Sequence, residues 1–229
     1  MSTYQLIQSG DSHSFPGAHA FTGAAQADGS GVVILGERAG AAYAALQHPE
    51  RFDFVAIELG HECLGVHVGE SSAATPTNTV GFARFRLGNA APSRLVEVVK
   101  QPATTAAALA AACRAFAAAE LVTVVCNDFP GRIVNRLVRP FYNAVLRRLD
   151  EGLASAEDLD KTLCLGLGYP TGPIALLEQT GLEHHYEVTA ALYSALGQEA
   201  YVPARRALIA KQRALGNAPL LRRMSMKTR

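Results

Sequence analysis

Asp128-Phe129-Pro130-Gly131-Arg132-Ile133-Val134-Asn135-Arg136-Leu137-Val138-Arg139-Pro140-Phe141-Tyr142-Asn143-Ala144-Val145-Leu146-Arg147-Arg148-Leu149-Asp150 is the stretch on which the reading of this chain turns. Its first four residues form a turn in which Pro130 and Gly131 set the chain direction. Ile133, Leu137, Phe141, Val145 and Leu149 then recur every four residues, with Val134, Val138, Tyr142 and Leu146 beside them. That spacing predicts a helix of about 19 residues with a wide apolar face suited to burial. Pro140 is expected to remove a backbone hydrogen bond and kink it, and Gly152 to end it. Asn135 lies one turn in, where an amide on an apolar helix requires a partner.

Downstream the pattern stays helical. Ser155 with Asp158 has the spacing of an N-terminal cap, which starts a helix running toward Leu165. Gly166, Gly168, Pro170, Gly172 and Pro173 make a rigid loop that packs helices where side chains do not fit. Helices follow over 174–180, 183–196 and 203–215, the last stopped by Gly216-Asn217. Upstream the chain changes character near residue 127. Tyr4 to Gln8, Val32 to Leu35, Phe54 to Leu59, Val80 to Phe85, Leu95 to Val99 and Leu121 to Cys126 read as strands, with Ala18 to Thr22 a weaker one. Ala39 to Leu46 reads as a short helix. A longer one begins at a capping Thr104, with Leu109, Cys113, Phe116 and Ala117 along one face. Strands alternating with helices make an α/β layer.

The composition excludes several classes of function. The 229 residues are 49% hydrophobic and 18% charged, with a net charge of +1. No field of one sign argues for nucleic acid or an anionic membrane. Arg222, Arg223, Lys227 and Arg229 read as a solvated basic tail. No stretch reaches the roughly 20 apolar residues of a membrane span, and a cytoplasmic protein is expected. Cys63, Cys113, Cys126 and Cys164 read as four buried thiols. His61, Cys63 and His67 are metal-ligand types, but closing a site needs Glu62, and a loop at a pocket mouth explains the stretch as well. His184-His185 opens a helix and reads as solvent-facing.

Three stretches together resemble the 3-hydroxyacyl-CoA dehydrogenase family: Asp128 to Arg136; Glu151 to Ser155 with Asp158-Leu159-Asp160; and Gly168-Tyr169-Pro170-Thr171-Gly172-Pro173 with Gly181-Leu182. Arg94-Leu95-Val96-Glu97-Val98-Val99 before Pro102-Ala103-Thr104 resembles the same family. The resemblance implies a Rossmann-like α/β domain over 1–126, shortened here. It implies an all-α C-terminal domain over 127–218, of the 6-phosphogluconate-dehydrogenase-C-terminal-like type, and leaves 219–229 as the tail. It also implies oxidation of the 3-hydroxyl of an acyl-CoA substrate with NAD as cofactor, by means of a glycine-rich loop, a histidine base and a glutamate that orients it.

Only part of that machinery is legible. After β-type Leu6-Ile7, Gly10 and Gly17 stand seven apart with no amphipathic helix behind them, which is not a dinucleotide fingerprint. With Gly81 as anchor, Ala83 occupies the histidine position, and alanine accepts no proton. Glu97 matches the orienting glutamate, and Asn135 matches a residue that helps hold the substrate carbonyl. The whole chain is most like the degenerate rear copy of double-length members of phenylacetate-type catabolism. The expected partners are an acyl-CoA, and a second copy of the chain or a separate dehydrogenase chain. NAD is expected not to bind this chain.

Overall fold

The computed structural model describes residues 3–70 and 75–225, with side chains described as far as Gly216. The chain divides into two compact units, Met1–Arg86 with Ala91–Ile133, and Leu87–Ala90 with Val134–Arg229. The first unit therefore keeps residues 127–133, because Asp128, Arg132 and the Ile133 amide are all bonded to sheet-unit groups.

The first unit is a sheet of six strands laid down in chain order: β1 (Tyr4–Gln8), β2 (Gly31–Leu35), β3 (Val55–Glu58), β4 (Thr79–Arg84), β5 (Leu95–Lys100) and β6 (Val122–Asn127). Strands β1 to β4 are mutually parallel, β4 and β5 are antiparallel, and β5 and β6 are parallel. Every residue of β2 and β3 is buried, as their unbroken apolar runs require of strands covered on both faces. Successive side chains point to opposite faces. On one face Val33, Leu35, Ala56, Phe82, Val96 and Val98 pack with α4 (Ala106–Ala118), which contributes Ala108, Ala111, Ala112, Ala115 and Phe116. On the other, Val32, Ile34, Val55, Ile57 and Val99 pack with Ala39 of α2 (Ala39–Ala44) and with Leu64, just before α3 (Gly65–Val68). Each fully buried Val, Ile, Leu or Phe contributes roughly 1.5–3 kcal/mol of transfer free energy.

Three local readings change. Residues 18–22 are not a strand: α1 spans Ala20–Gly23, started by His19, whose Nδ1 accepts the Phe21 N–H at 3.0 Å. Phe21 then stacks between Tyr4 and Phe116, at centroid distances of 4.8 and 4.7 Å. The cap of α4 is Thr105, whose hydroxyl accepts the Ala108 N–H; the Thr104 hydroxyl serves the Gln101 N–H and the Thr79 carbonyl instead. Ala117 faces solvent, because the buried face is centred on Ala112 and Phe116.

The second unit holds α5 (Val134–Asp150), α6 (Ala156–Leu167), α7 (Pro173–Thr180), α8 (Leu182–Leu196) and α9 (Arg205–Ser225). Helix α5 continues through Pro140. A proline cannot bond the carbonyl four residues back, and the Tyr201 hydroxyl donates to that Arg136 carbonyl at 3.2 Å. Gly152, at φ +74°, terminates the helix, and the Leu153 N–H reaches the Arg148 carbonyl at 3.1 Å. Ser155 caps α6 through the Asp158 N–H. Helix α9 runs through Gly216-Asn217; a glycine inside a helix costs only about 1 kcal/mol and need not stop it. The side chains of the basic tail, Arg222 to Arg229, lie outside the described residues. No helix among the described residues is long and apolar enough to cross a membrane.

Candidate functional site

Glu97 lies mid-strand in β5, 1% exposed, directly opposite Ala83 of β4 in the antiparallel register. Residues paired in this way project from the same side of the sheet. The position expected to hold a base and the position expected to orient it are thus neighbours, and the former is a methyl group. Glu97 has other company. Its Oε1 accepts the Ile133 N–H at 2.8 Å, and its Oε2 lies 3.4 Å from Arg132 Nε. Arg132 is itself buried and donates through Nη2 to the Gly60 carbonyl at 2.7 Å, while its Nη1 has no partner among the described residues. Gly131 and Arg132 are both left-handed, at φ +73° and +55°. That turn brings the Ile133 amide onto the carboxylate. A non-glycine residue held there costs about 1 kcal/mol or more.

In the 61–67 stretch one histidine is paired with a carboxylate. His67 Nε2 meets Glu62 Oε1 at 3.1 Å, and no group of three potential ligands exists among the described residues. Burial would raise the Glu62 carboxyl, but bonds from backbone N–H groups and from His67 outweigh it, and the net shift is downward. Asp128 accepts the Leu64 and Gly65 N–H groups at 2.6 and 2.8 Å and so fixes the start of α3. All four cysteines are half-buried rather than fully buried. Burial pushes the Cys126 thiol up to about 11, with Glu97 adding to the effect, and burial likewise raises Cys63. Neither is an activated nucleophile.

At the carboxyl ends of the first three strands sits a second buried carboxylate. Glu58 closes β3, and its two oxygens accept the Ser14 N–H at 2.6 Å and the Gly36 N–H at 2.7 Å. These amides belong to the loops leaving β1 and β2. Arg84 braces the same loop through the Ser14 carbonyl at 3.0 Å and lies over the Phe15 ring. Beside it opens a cavity of about 690 Å³, lined among others by Asp11, Ser12, His13, Glu37 and Arg86.

In the helical unit Asn135 is buried and has a partner. The stripe of α5 that is buried is Asn135, Arg139 and Asn143, with Val145 and Leu146, whereas Leu137 is 70% exposed. Asn135 Oδ1 accepts from Arg139 Nε at 2.9 Å. Arg139 Nη1 reaches His185 Nδ1, and His185 Nε2 reaches Asn143 Oδ1, both at 3.0 Å. The Asn143 amide donates to the Ala200 and Val202 carbonyls. Because arginine only donates, this chain of bonds fixes His185 as the neutral Nε2–H tautomer. His185 is therefore not solvent-facing. Burial and then the Arg139 charge push it down to about 3, and burial lowers Arg139 to about 10.

Of the expected site residues, Glu97 and Ala83 meet in the sheet unit and Asn135 belongs to the helical unit. Arg132, Glu58, Arg139 and His185 carried no role in the linear pattern. Only the four-residue spacing of Asn135, Arg139 and Asn143 could have signalled a polar stripe.

Residues 131–219 match the family model described as 3-hydroxyacyl-CoA dehydrogenase, C-terminal domain. That segment is similar to the C-terminal domain of 3-hydroxyacyl-CoA dehydrogenases. The chain is 36% identical over 128 residues to 3-hydroxyadipyl-CoA dehydrogenase of Escherichia coli (strain K12), covering 56% of this chain and 27% of that protein. It is 39% identical over 114 residues to human mitochondrial hydroxyacyl-coenzyme A dehydrogenase, covering 49% and 36%. The chain thus matches only about a third of the length of these dehydrogenases. Among solved structures, it is similar to (S)-3-hydroxybutyryl-CoA dehydrogenase from Ralstonia eutropha, with a TM-score of 0.64 at 24% identity, over 82% of this chain and 66% of that one. It is also similar to 3-hydroxybutyryl-CoA dehydrogenase from Escherichia coli K12, with a TM-score of 0.63 at 24% identity, over 85% and 40%. The fold is that of 3-hydroxyacyl-CoA dehydrogenases, a Rossmann-like sheet unit followed by a helical domain.

Proposed function

We propose that this chain serves acyl-CoA breakdown, in fatty-acid or aromatic-acid catabolism, as a 3-hydroxyacyl-CoA dehydrogenase component without its own working nucleotide loop. It operates with a dehydrogenase half, supplied by a separate chain or by a further segment of a longer one, in the manner of a degenerate rear copy. The observation that carries this reading is Glu97. Its oxygens engage Arg132 and the Ile133 amide, and its cross-strand neighbour is Ala83. A carboxylate so occupied, beside a residue with no proton acceptor, cannot run the acid–base step by which a hydroxyl is oxidised.

The reading is tested by mixing the purified chain with 3-hydroxybutyryl-CoA and NAD and following NADH. Background rates are expected. Turnover at about 1 per second or faster, an ordinary enzyme rate, would overturn it. Co-purification with a complete 3-hydroxyacyl-CoA dehydrogenase from the same cells is the positive arm.

A scaffold reading has its own support. Helix α6 buries none of its residues within the chain, and Leu137, Leu153, Leu165 and Leu167 are each at least 65% exposed. An apolar surface of this kind marks a face that another protein covers, either a second copy or the dehydrogenase partner. Binding of a CoA ester by the isolated chain, measured calorimetrically, separates a substrate-holding component from a pure scaffold.

A further inference from the structure

We propose that Glu58 is a built-in occupant of the anion position at the carboxyl edge of the sheet, and that it keeps phosphate-bearing ligands, NAD included, from binding there. The inference deepens the component reading and takes from it only the identity of the ligand refused.

In open α/β sheets, ligands bind outside the carboxyl ends of the parallel strands, where strand order reverses, and phosphates are held by free backbone N–H groups of the loops that leave those strands. Two amides of these loops, Ser14 N–H beyond β1 and Gly36 N–H beyond β2, converge at this edge. Both are spent on one internal carboxylate, at 2.6 and 2.7 Å. Glu58 is buried, and its contacts are those a phosphate oxygen pair would make. The Phe21 N–H at the start of α1 is taken by His19. That helix has only four residues. The strands run in unbroken order from β1 to β6, so no reversal opens a crevice. The adjoining cavity adds the carboxylates of Asp11 and Glu37 against Arg86 and His13. The residues present do not fit a dinucleotide pyrophosphate.

The test is amide spectroscopy on the full chain. The Ser14 and Gly36 ¹H–¹⁵N signals are followed while ADP, NADH and inorganic phosphate are added at constant ionic strength. In the wild type neither signal is expected to shift saturably with any of the three, and a saturable shift would sink the proposal. In Glu58→Ala the two donors are released, and inorganic phosphate is expected to move both signals saturably. A folded variant whose amides ignore phosphate overturns the assignment of Glu58 as a stand-in anion. If the variant does not fold, the wild-type titration decides alone. Failure to capture a dehydrogenase partner leaves these outcomes unaffected, so the two readings fail separately.

Discussion

At the scale of single residues, two buried carboxylates carry most of the meaning. Glu97 was legible as a site residue because its strand motif is contiguous; its commitment to Arg132 was not, since 35 positions and a left-handed turn separate the pair. Removing one member of a buried ion pair strands the other charge, so Arg132→Met is expected to destabilise the sheet unit by about 3–5 kcal/mol. The double change Arg132→Met with Glu97→Gln should recover part of that loss, and urea unfolding of the three variants measures it. His185 gives a pH signature to the helical unit. Its folded value of about 3 lies below the ordinary 6.5. Between those values the unfolded chain holds one more proton than the folded one. Stability is therefore complete above pH 6.5 and falls by up to about 1.4 kcal/mol per unit as pH drops toward 3. Arg139→Met should raise the His185 value by removing the neighbouring positive charge, which imidazole NMR titration reads directly.

At the scale of elements, periodicity located α5 and misjudged its orientation. Apolar positions at every fourth residue predict one core face, but Asn135, Arg139 and Asn143 sit inside. Asn135 is held by Arg139 of the same helix, whereas the partners of Arg139 and Asn143 lie on α8 and on the turn before α9, 42 to 61 positions away. Hydrophobic spacing says that a helix has a face; it does not say which stripe a polar network from another helix will claim. The same limit applies to Pro140. Helix α5 continues through it because Tyr201, far along the chain, satisfies the freed carbonyl. Tyr201→Phe should lower the unfolding free energy by about 1 kcal/mol, seen as a reduced urea midpoint. The Gly172-Pro173 motif has a physical cause of the same kind. Asp160 of α6 accepts the Ile174 and Ala175 N–H groups at 2.9 Å each, and a Cβ on Gly172 would lie 2.2 Å from the Asp160 Cβ. Gly172→Ala is thus expected to loosen the α6–α7 pair, with faster amide exchange at Ile174 and Ala175 as the readout.

At the scale of the whole molecule, a six-stranded sheet unit followed by a helical unit gives the chain the fold of 3-hydroxyacyl-CoA dehydrogenases. The exposed leucines of the helical unit set a test at this scale. Leu165→Glu, at a position 78% exposed, should leave thermal unfolding nearly unchanged. It should also lower the apparent mass in light scattering, or abolish partner capture, if α6 is the covered face. An unchanged assembly state with partner capture intact would remove α6 from the interface.

Contiguous pattern alone was enough to place the buried strands, most of the helix positions, the capping of α6, the stop at Gly152 and the family resemblance of residues 128–182. Those features depend on backbone preferences and on apolar spacing within a few residues of each other. Folding was needed to decide what each charged or polar side chain does: Glu97 against Arg132, Glu58 against two loop amides, Arg139 against His185. Such groups are worth burying only where a partner satisfies them, and each of these partners comes from a different part of the chain.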